Sequence, residues 1–305
     1  MVDLNIKLPE SFLQEEERDG YLVSAKMKEL WAVQLDLLCE LDRVCKKYGL
    51  KYILDFGTLL GAIRHKGYIP WDDDLDVSML REDYDKLMEV GPKEFKHPYF
   101  LQNQITDKYY ADCVTKLRRS DTLFINQYHK GVTNRYNQGI FIDIFVFDNV
   151  NEVEENALKA ISKNSRNAYF RMMVLAYPPM KNDGIKFPFK MIRLLLYKLR
   201  YGSGKKEYQR LEQRAKECPR TGIVCSVMYV NPHCRPLDVY DEIIEVPFEQ
   251  FMMPVPARNN EVLRLLYGDD YMTPHNIPSG HRRYLFDVNH SYDELKSDVL
   301  NILEE

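Results

Sequence analysis

The first regular pattern of hydrophobic positions along the chain is helical. Between residues 21 and 48, apolar side chains recur every three or four positions, as on the buried face of an α-helix. They are Leu30, Val33, Leu37, Leu38, Leu41 and Val44. Gly49 follows where a C-cap glycine would end the helix. Residues 1–20 are polar and predict an N-terminal arm on the surface.

Short apolar runs follow this helix and predict strands. Residues 50–56 are typical of a buried strand, and residues 75–80 form a second one directly after an acidic run. A helix over residues 81–90 is expected to stop at Gly91 and Pro92. Further strands are predicted at residues 99–103, 112–118, 139–147 and 222–230, and a short helix at residues 260–267. Strands alternating with helices indicate an α/β domain with a mixed (α+β) sheet.

The pattern divides the chain into four parts. After the arm of residues 1–20, residues 21–150 form the predicted α/β core. Residues 151–220 predict a helical insertion, broken at Pro178-Pro179 and Phe187-Pro188. Residues 221–305 form a C-terminal part that we expect to pack on the core.

Residues 187–200 mix apolar and basic side chains at helical spacing and form the central part of a basic segment, residues 181–206. The segment holds eight basic residues and a single acidic one, Asp183. The mixture favours a core-packing helix with a solvated basic face. The alternative is an interfacial helix that binds an anionic lipid surface.

Composition limits the class of protein. A chain of 305 residues, 45% of them hydrophobic, can fill one large core or two modest ones. The net charge of −4 gives no support for nucleic acid as a partner. The chain starts without a basic-then-apolar signal and has no apolar run of about 20 residues, so we expect a cytoplasmic protein. Six cysteines without a Cys-x-x-Cys pair predict reduced thiols.

The most informative stretch, residues 71–77, reads Trp-Asp-Asp-Asp-Leu-Asp-Val. In an extended chain alternate side chains share a face, so Asp72, Asp74 and Asp76 would point one way and Asp73 the other. Carboxylates this close repel one another unless a cation neutralises them. Carboxylate oxygens suit Mg²⁺ or Mn²⁺ rather than zinc. A solvated acidic turn is the alternative, but the apolar strand that follows favours a metal site.

A later apolar strand carries one carboxylate, Asp143. A lone carboxylate inside such a strand is costly to bury unless it is paired or bound to metal. An edge position or a basic partner would explain it. We expect it instead to join Asp74 and Asp76.

Residues between the first two predicted strands indicate a phosphate site. Gly57 permits a tight turn, and Thr58 can cap the short helix that follows. Backbone N–H groups at a helix start bind phosphate. Arg64 and Lys66 place positive charge near the same cleft, although each could equally be a solvated cation at the helix end.

These motifs together resemble the LicD family, of which fukutin-related protein is a distant eukaryotic relative. The resemblance runs from about Trp31 to His281. It rests on residues 57–61 (Gly-Thr-Leu-Leu-Gly), 64–67 (Arg-His-Lys-Gly), 69–76 (Ile-Pro-Trp-Asp-Asp-Asp-Leu-Asp), the strand with Asp143, 254–256 (Pro-Val-Pro) and 267–272 (Tyr-Gly-Asp-Asp-Tyr-Met).

The resemblance implies a nucleotidyltransferase core of the DNA polymerase β type at residues 21–150, elaborated by the helical segment. It also implies transfer of a phosphorylated small alcohol, usually phosphocholine, from a cytidine-diphosphate-linked donor. The acceptor would be a hydroxyl of a cell-surface glycan or its lipid-linked precursor. If residues 187–200 form an interfacial helix, that helix would bring the enzyme to a lipid-linked glycan by peripheral contact with the inner membrane surface. A nucleotidyltransferase acting on a small molecule or protein, and a non-catalytic nucleotide-binding protein, remain alternatives.

Each candidate residue has an expected role in that reaction. Asp74 and Asp76 would hold Mg²⁺ or Mn²⁺, and Asp143 would complete the site. By the resemblance, Asp143 would also help to deprotonate the acceptor hydroxyl. Asp72 would be a further ligand or a hydrogen-bond partner of the ligands. The expected donor-binding residues are Gly57, Thr58, Arg64, Lys66 and Trp71. Several rings near the motifs could contact a quaternary ammonium, namely Trp71, Tyr68, Tyr99, Tyr109, Tyr110 and Tyr136.

Overall fold

The structure is a computed structural model that describes residues 1–126, 135–150, 155–177, 179, 181–218, 220–274 and 284–294. The chain forms two compact units. Unit 1 comprises Met1–Leu101, Lys116–Phe145 and Leu237–Glu305, and unit 2 comprises Gln102–Thr115 and Val146–Pro236.

Helices and strands alternate along the described residues, which confirms a mixed α/β protein. The α-helices are α1 (Ala25–Tyr48), α2 (Phe56–His65), α3 (Arg81–Glu94), α4 (Glu155–Ala176), α5 (Phe187–Tyr201), α6 (Gly204–Lys216) and α7 (Asn259–Tyr267). The strands are β1 (Glu16–Arg18), β2 (Tyr21–Val23), β3 (Ile53–Leu54), β4 (Asp76–Leu80), β5 (Tyr99–Gln102), β6 (Thr115–Arg119), β7 (Leu123–Asn126), β8 (Ile140–Asn149), β9 (Ile223–Cys225), β10 (Cys234–Pro236), β11 (Ile243–Phe248), β12 (Phe251–Pro256) and β13 (Tyr284–Asp287).

Helix α1 is the central helix of unit 1 and confirms the periodic pattern. Its apolar stripe, from Leu30 to Val44, is fully buried. Ser24 caps its start by accepting a hydrogen bond from the Met27 N–H at 3.2 Å. Gly49 ends it in the left-handed region, with a φ of 64°. The helix begins four residues later than predicted because β2 pairs with β1 in a hairpin.

The sheet of unit 1 places β4 between β3 and β8, while β6 joins β8 to β5. Strands β3 and β4 are antiparallel, with Ile53 opposite Ser78 and Leu54 opposite Val77. The predicted strand at residues 50–56 is thus reduced to two residues. Among the described residues, unit 1 also contains three two-stranded antiparallel pairs, β1 with β2, β11 with β12, and β7 with β13.

Helix α3 corrects the predicted stop at Gly91-Pro92, because it runs through both residues to Glu94. A Cβ on Gly91 would lie 2.6 Å from Cδ2 of Leu101. Gly91 therefore serves close packing rather than termination. Pro92 removes only one intrahelical hydrogen bond, close to the helix end, where the loss is tolerated.

Unit 2 contains α4, α5, α6 and the strands β9 and β10. The last residues of β8 pair antiparallel with β9, and β9 pairs antiparallel with β10. Cys225 and Cys234 lie opposite each other in that register, with Cα atoms 4.1 Å apart, and form a disulfide. The prediction of six reduced thiols is wrong for this pair, because distant cysteines meet once the strands pair.

The core-packing prediction for residues 187–200 is also wrong. Leu194 is the buried residue of α5. Phe189, Leu195 and Leu199 are 70%, 59% and 77% exposed. Among the helices that the structure describes, none has the length and apolar character needed to cross a bilayer.

Candidate active site

Asp72, Asp73 and Asp74 form a loop, here called the acidic loop, whose backbone is held by buried side chains of α1. The indole N–H of Trp31 donates to the carbonyl of Asp72 at 2.8 Å. The amide nitrogen of Gln34 donates to the carbonyl of Asp73, also at 2.8 Å. Buried donors of this kind fix the course of a loop because leaving them unpaired is costly. Neither residue was a candidate from the sequence, because neither belongs to a motif.

The three carboxylates of the acidic loop converge. One oxygen from each of Asp72, Asp73 and Asp74 lies within 4.8 Å of the other two. The expectation that Asp73 points away is therefore wrong. It assumed an extended chain from residue 72, whereas β4 begins only at Asp76.

Asp76 is the most buried of the predicted ligands in this run, at 9% exposure. Its N–H donates to Oγ1 of Thr58 at 2.8 Å, and its carbonyl accepts from the N–H of Asp55 at 3.0 Å. Burial raises the pKa of Asp76 well above its usual value, and so do the charges of Asp74, Asp143, Asp72 and Asp55, in that order. All four carboxylates are thus within electrostatic reach of Asp76.

The pKa of Asp72 is raised for similar reasons. Burial raises its pKa well above the usual value, and Asp74 raises it further by charge and by a side-chain hydrogen bond. Buried carboxylates whose pKa is raised by neighbouring negative charge are a place where a cation would be stabilised.

Asp143 lies on β8, where it pairs with a cation and lies within electrostatic reach of Asp76. Its carboxylate forms an ion pair with Lys116 of β6, and its N–H donates to the carbonyl of Leu75 at 2.9 Å. From the sequence, Asp143 could either pair with a basic residue or lie beside Asp74 and Asp76. The structure shows a basic partner, Lys116, and an electrostatic interaction with Asp76. Lys116 was missed because a single lysine in a short strand gives no signal.

The start of α2 approaches the acidic loop closely. A Cβ on Gly57 would lie 2.8 Å from Oδ2 of Asp72, so glycine lets this carboxylate approach the first helical turn. The cap of the helix is Asp55, whose side chain accepts from the N–H of Phe56 at 2.8 Å. The prediction that Thr58 caps α2 is therefore wrong, and Thr58 binds the backbone of Asp76 instead.

The basic candidates lie toward the other end of α2. Lys66 is its exposed C-cap, nine positions from Gly57, which is about 13 Å along a helix. Arg64 donates from Nη1 to the carbonyl of Tyr271 at 2.7 Å and from Nε to Nε2 of His65 at 2.8 Å. The ring of Trp71 lies 6.5 Å from that of His65, centroid to centroid.

Tyr267, at the end of α7, is a residue near the acidic cluster that was not among the candidates. Helix α7 packs against α2. Burial raises the pKa of the Tyr267 phenol, and the charges of Asp76, Asp55, Asp72 and Asp74 raise it further. The phenol is therefore within electrostatic reach of the carboxylates. The Tyr-Gly-Asp-Asp-Tyr motif was the available signal.

The donor set fits a hard divalent cation. It consists of carboxylate oxygens, which Mg²⁺ and Mn²⁺ prefer. The acidic-loop oxygens lie close together, and burial and neighbouring carboxylates raise the pKa values of Asp72 and Asp76, so negative charge is concentrated here.

Comparison with known proteins shows similarity to one family of transferases. Residues 49–188 match the LicD family model, described as the LicD/FKTN/FKRP nucleotidyltransferase domain. The chain is also 27% identical to the lipopolysaccharide cholinephosphotransferase LicD of Haemophilus influenzae over 263 residues, which are 81% of this chain and 92% of that protein. Residues 49–188 therefore resemble the LicD nucleotidyltransferase domain, and the chain is similar to a LicD protein over most of its length, as its motifs predict.

Two shorter similarities involve uncharacterized proteins of Rickettsia. The chain is 40% identical over 81 residues to one from Rickettsia prowazekii, covering 29% of it. It is 35% identical over 107 residues to one from Rickettsia typhi, covering 34% of it. The matches span about a third of these proteins or less and carry no functional name.

Proposed function

We propose that the chain is a phosphotransferase that moves a phosphorylated small alcohol, phosphocholine in the first instance, from a cytidine-diphosphate-linked donor to a glycan hydroxyl. The observation that carries this proposal is the electrostatic cluster of Asp72, Asp74, Asp76 and Asp143 beside the start of α2. The Haemophilus influenzae relative supports it, because its name gives choline phosphate as the group and lipopolysaccharide as the acceptor.

The proposal includes a polymerase β-like core for the α/β part of unit 1. It is supported by the description of the matching family as a nucleotidyltransferase domain. It is also supported by carboxylates on β4 and β8, which are neighbours in one sheet.

Asp74, Asp76 and Asp143, with Asp72, would hold Mg²⁺ or Mn²⁺. When bound, the ion would neutralise the diphosphate oxygens and so favour transfer. The N–H groups at the start of α2, around Gly57 and Thr58, would bind donor phosphate because they have no partner within the helix.

The chain's own residues would carry the proton and orient the reactants. The acceptor hydroxyl oxygen would bond to the phosphorus that carries the alcohol, and its proton would pass to a carboxylate oxygen of Asp143. The bond from that phosphorus to the oxygen bridging the two phosphates would break, and cytidine monophosphate would leave. Arg64, held on Tyr271, and Lys66 are the cations proposed to neutralise it.

The acceptor would be a lipopolysaccharide or teichoic-acid glycan, or its lipid-linked precursor, met by a cytoplasmic enzyme at the inner membrane face. The aromatic contact proposed for the choline ammonium is Trp71.

A labelled donor tests the reaction directly. Cytidine-diphosphate choline with ³²P on the choline-side phosphate, incubated with Mg²⁺ and a glycan acceptor, should pass its label to the glycan and release cytidine monophosphate. A panel of other cytidine-diphosphate alcohols would identify the head group. Asp74→Asn should abolish transfer, whereas Asp85→Asn, an exposed carboxylate on α3, should leave it unchanged. Label retained on the released nucleotide, or pyrophosphate formed from a nucleoside triphosphate, would establish nucleotidyl transfer instead.

A further inference from the structure

Helix α5 of unit 2 turns its apolar side chains outward. Apart from the buried Leu194, its large apolar residues are accessible. Ile192 and Leu196 are 57% and 58% exposed, close to the values for Leu195 and Phe189. Soluble proteins rarely leave so many neighbouring apolar side chains in water, and an exposed patch of this kind marks an interaction surface.

The exposed residues form one stripe. Ile192, Leu195, Leu196 and Leu199 are spaced i, i+3, i+4 and i+7, which places them on a single helical face. At about 100° per residue this face lies opposite Leu194. Since Leu194 is the residue that packs inward, the stripe points away from unit 2.

The inner side of α5 is fixed to α4 and α6. The ring of Tyr197 lies 6.4 Å from that of Phe170 on α4. The guanidinium of Arg171, also on α4, lies 5.1 Å from the ring of Tyr201, and Arg210 of α6 donates to the Tyr201 carbonyl at 2.9 Å. The apolar stripe therefore lies on a helix that packs against α4 and α6.

The charged residues of the segment that carries the stripe are all positive. From residue 184 to residue 206 the sequence contains no carboxylate. It contains seven cations: Lys186, Lys190, Arg193, Lys198, Arg200, Lys205 and Lys206. A partner for this surface must offer an apolar layer and negative charge together.

We propose that α5 is an interfacial helix that docks unit 2 on an anionic lipid bilayer. The stripe would enter the boundary between headgroups and acyl chains while the cations contact lipid phosphates. A second copy of the chain fits less well, because two such faces would bring like-charged flanks together. The proposal stands on the residues of α5 and does not depend on the transfer reaction, although docking would bring the enzyme to a lipid-linked acceptor.

Vesicle flotation of the full chain tests the proposal. Wild type should bind phosphatidylcholine vesicles that contain phosphatidylglycerol and should bind pure phosphatidylcholine more weakly. High salt should reduce binding, because screening weakens attraction between cations and anionic headgroups. Lys198→Gln with Arg200→Gln should weaken binding to anionic vesicles several-fold.

The stripe variant is Leu195→Glu with Leu199→Glu. Both residues are exposed, so the fold should survive, and bound protein should fall by at least about ten-fold. Leu22→Glu is the matched control, since Leu22 is 61% exposed on β2 of unit 1, and it should bind as wild type does. Circular dichroism should be unchanged in both variants.

Three results would overturn the proposal. One is no binding to anionic vesicles at low salt. Another is equal binding by the stripe variant and wild type. The third is that wild type is a dimer, the stripe variant is a monomer, and neither binds vesicles. This result would assign the surface to a second copy of the chain. Transfer to a soluble acceptor fragment, measured alongside, should be the same in all these variants.

Discussion

The ammonium group of Lys116 and the carboxylate of Asp143 form an ion pair between the neighbouring strands β6 and β8. The same carboxylate raises the pKa of Asp76 through its charge. Asp143 therefore lies between a cation supplied by the protein and the place where a metal cation is proposed to bind.

Asp143→Ala should lower the transfer rate by at least about 100-fold, comparable to losing a key electrostatic group in an active site. It should also weaken Mg²⁺ binding measured by calorimetry. Lys116→Met is the companion variant. It leaves a mostly buried carboxylate without its ion-pair partner, so unfolding without metal should become easier by about 3 kcal/mol. Mg²⁺ should restore part of that loss, and an Asp143 with a purely structural role would show no such rescue.

Asp74→Asn or Asp76→Asn should abolish activity while leaving the metal-free fold at least as stable as wild type. Removing one negative charge relieves repulsion within the cluster. Thermal melts in chelator should therefore stay level or rise, and the stabilisation that Mg²⁺ gives to wild type should disappear. Retained turnover in either variant would contradict the assignment of these residues.

Without metal, the contribution of Asp76 to stability should increase as the pH falls. Because the pKa of Asp76 is raised in the folded state, that state binds the proton more tightly than the unfolded chain does. The contribution of Asp76 to stability should thus grow as pH falls through the raised pKa towards about 4. The difference in melting temperature between wild type and Asp76→Asn measures it at neutral and mildly acidic pH. Saturating Mg²⁺ should flatten the difference.

Thr58→Val tests the hydrogen bond of the Thr58 hydroxyl while keeping the shape of the side chain. The variant keeps the volume but leaves the N–H of Asp76 without its acceptor, at a cost of about 1–3 kcal/mol. Activity should fall as well, because the start of β4 is then less firmly held. Thr58→Ser retains the oxygen and should behave nearly as wild type. Equal effects of the two substitutions would mean that the methyl group, not the hydrogen bond, is what matters.

Tyr267→Phe should change donor binding more than stability. The side chain is 41% exposed, so the fold should tolerate the change. If the phenol contacts donor phosphate near the carboxylates, KM for the donor should rise about ten-fold, the usual scale of one hydrogen bond to a charged group. Tyr48→Phe, a tyrosine at the end of α1 that is 37% exposed, is the control. An unchanged KM in Tyr267→Phe would remove this residue from the site.

The sequence predicted what local periodicity and charge density control. The α1 stripe with its Gly49 cap is a repeated pattern, and it appears as expected. Asp72, Asp74 and Asp143 act on Asp76 through their charges, and β4 and β8, which carry Asp76 and Asp143, are neighbours in the sheet. Asp143 was expected beside Asp74 and Asp76 because a carboxylate inside an apolar strand needs a partner or a metal.

Features that depend on tertiary contacts could not be read from the chain. Asp55 and Thr58 are both good capping residues, and only the pairing of β3 with β4 decides which one caps α2. Lys116 and Gln34 meet the site across long sequence separations. The outward direction of the α5 stripe was equally hidden, since helical spacing shows that a face exists but not what it contacts.

The attachment of the acidic loop to α1 also has an optical consequence. The chain has two tryptophans. Trp31 donates its indole N–H to the Asp72 carbonyl, and Trp71 immediately precedes the loop. Any shift of the loop when a cation or nucleotide binds should alter the surroundings of both fluorophores at once. Emission from the unlabelled protein would therefore report occupancy of this site with no tryptophan elsewhere to obscure it.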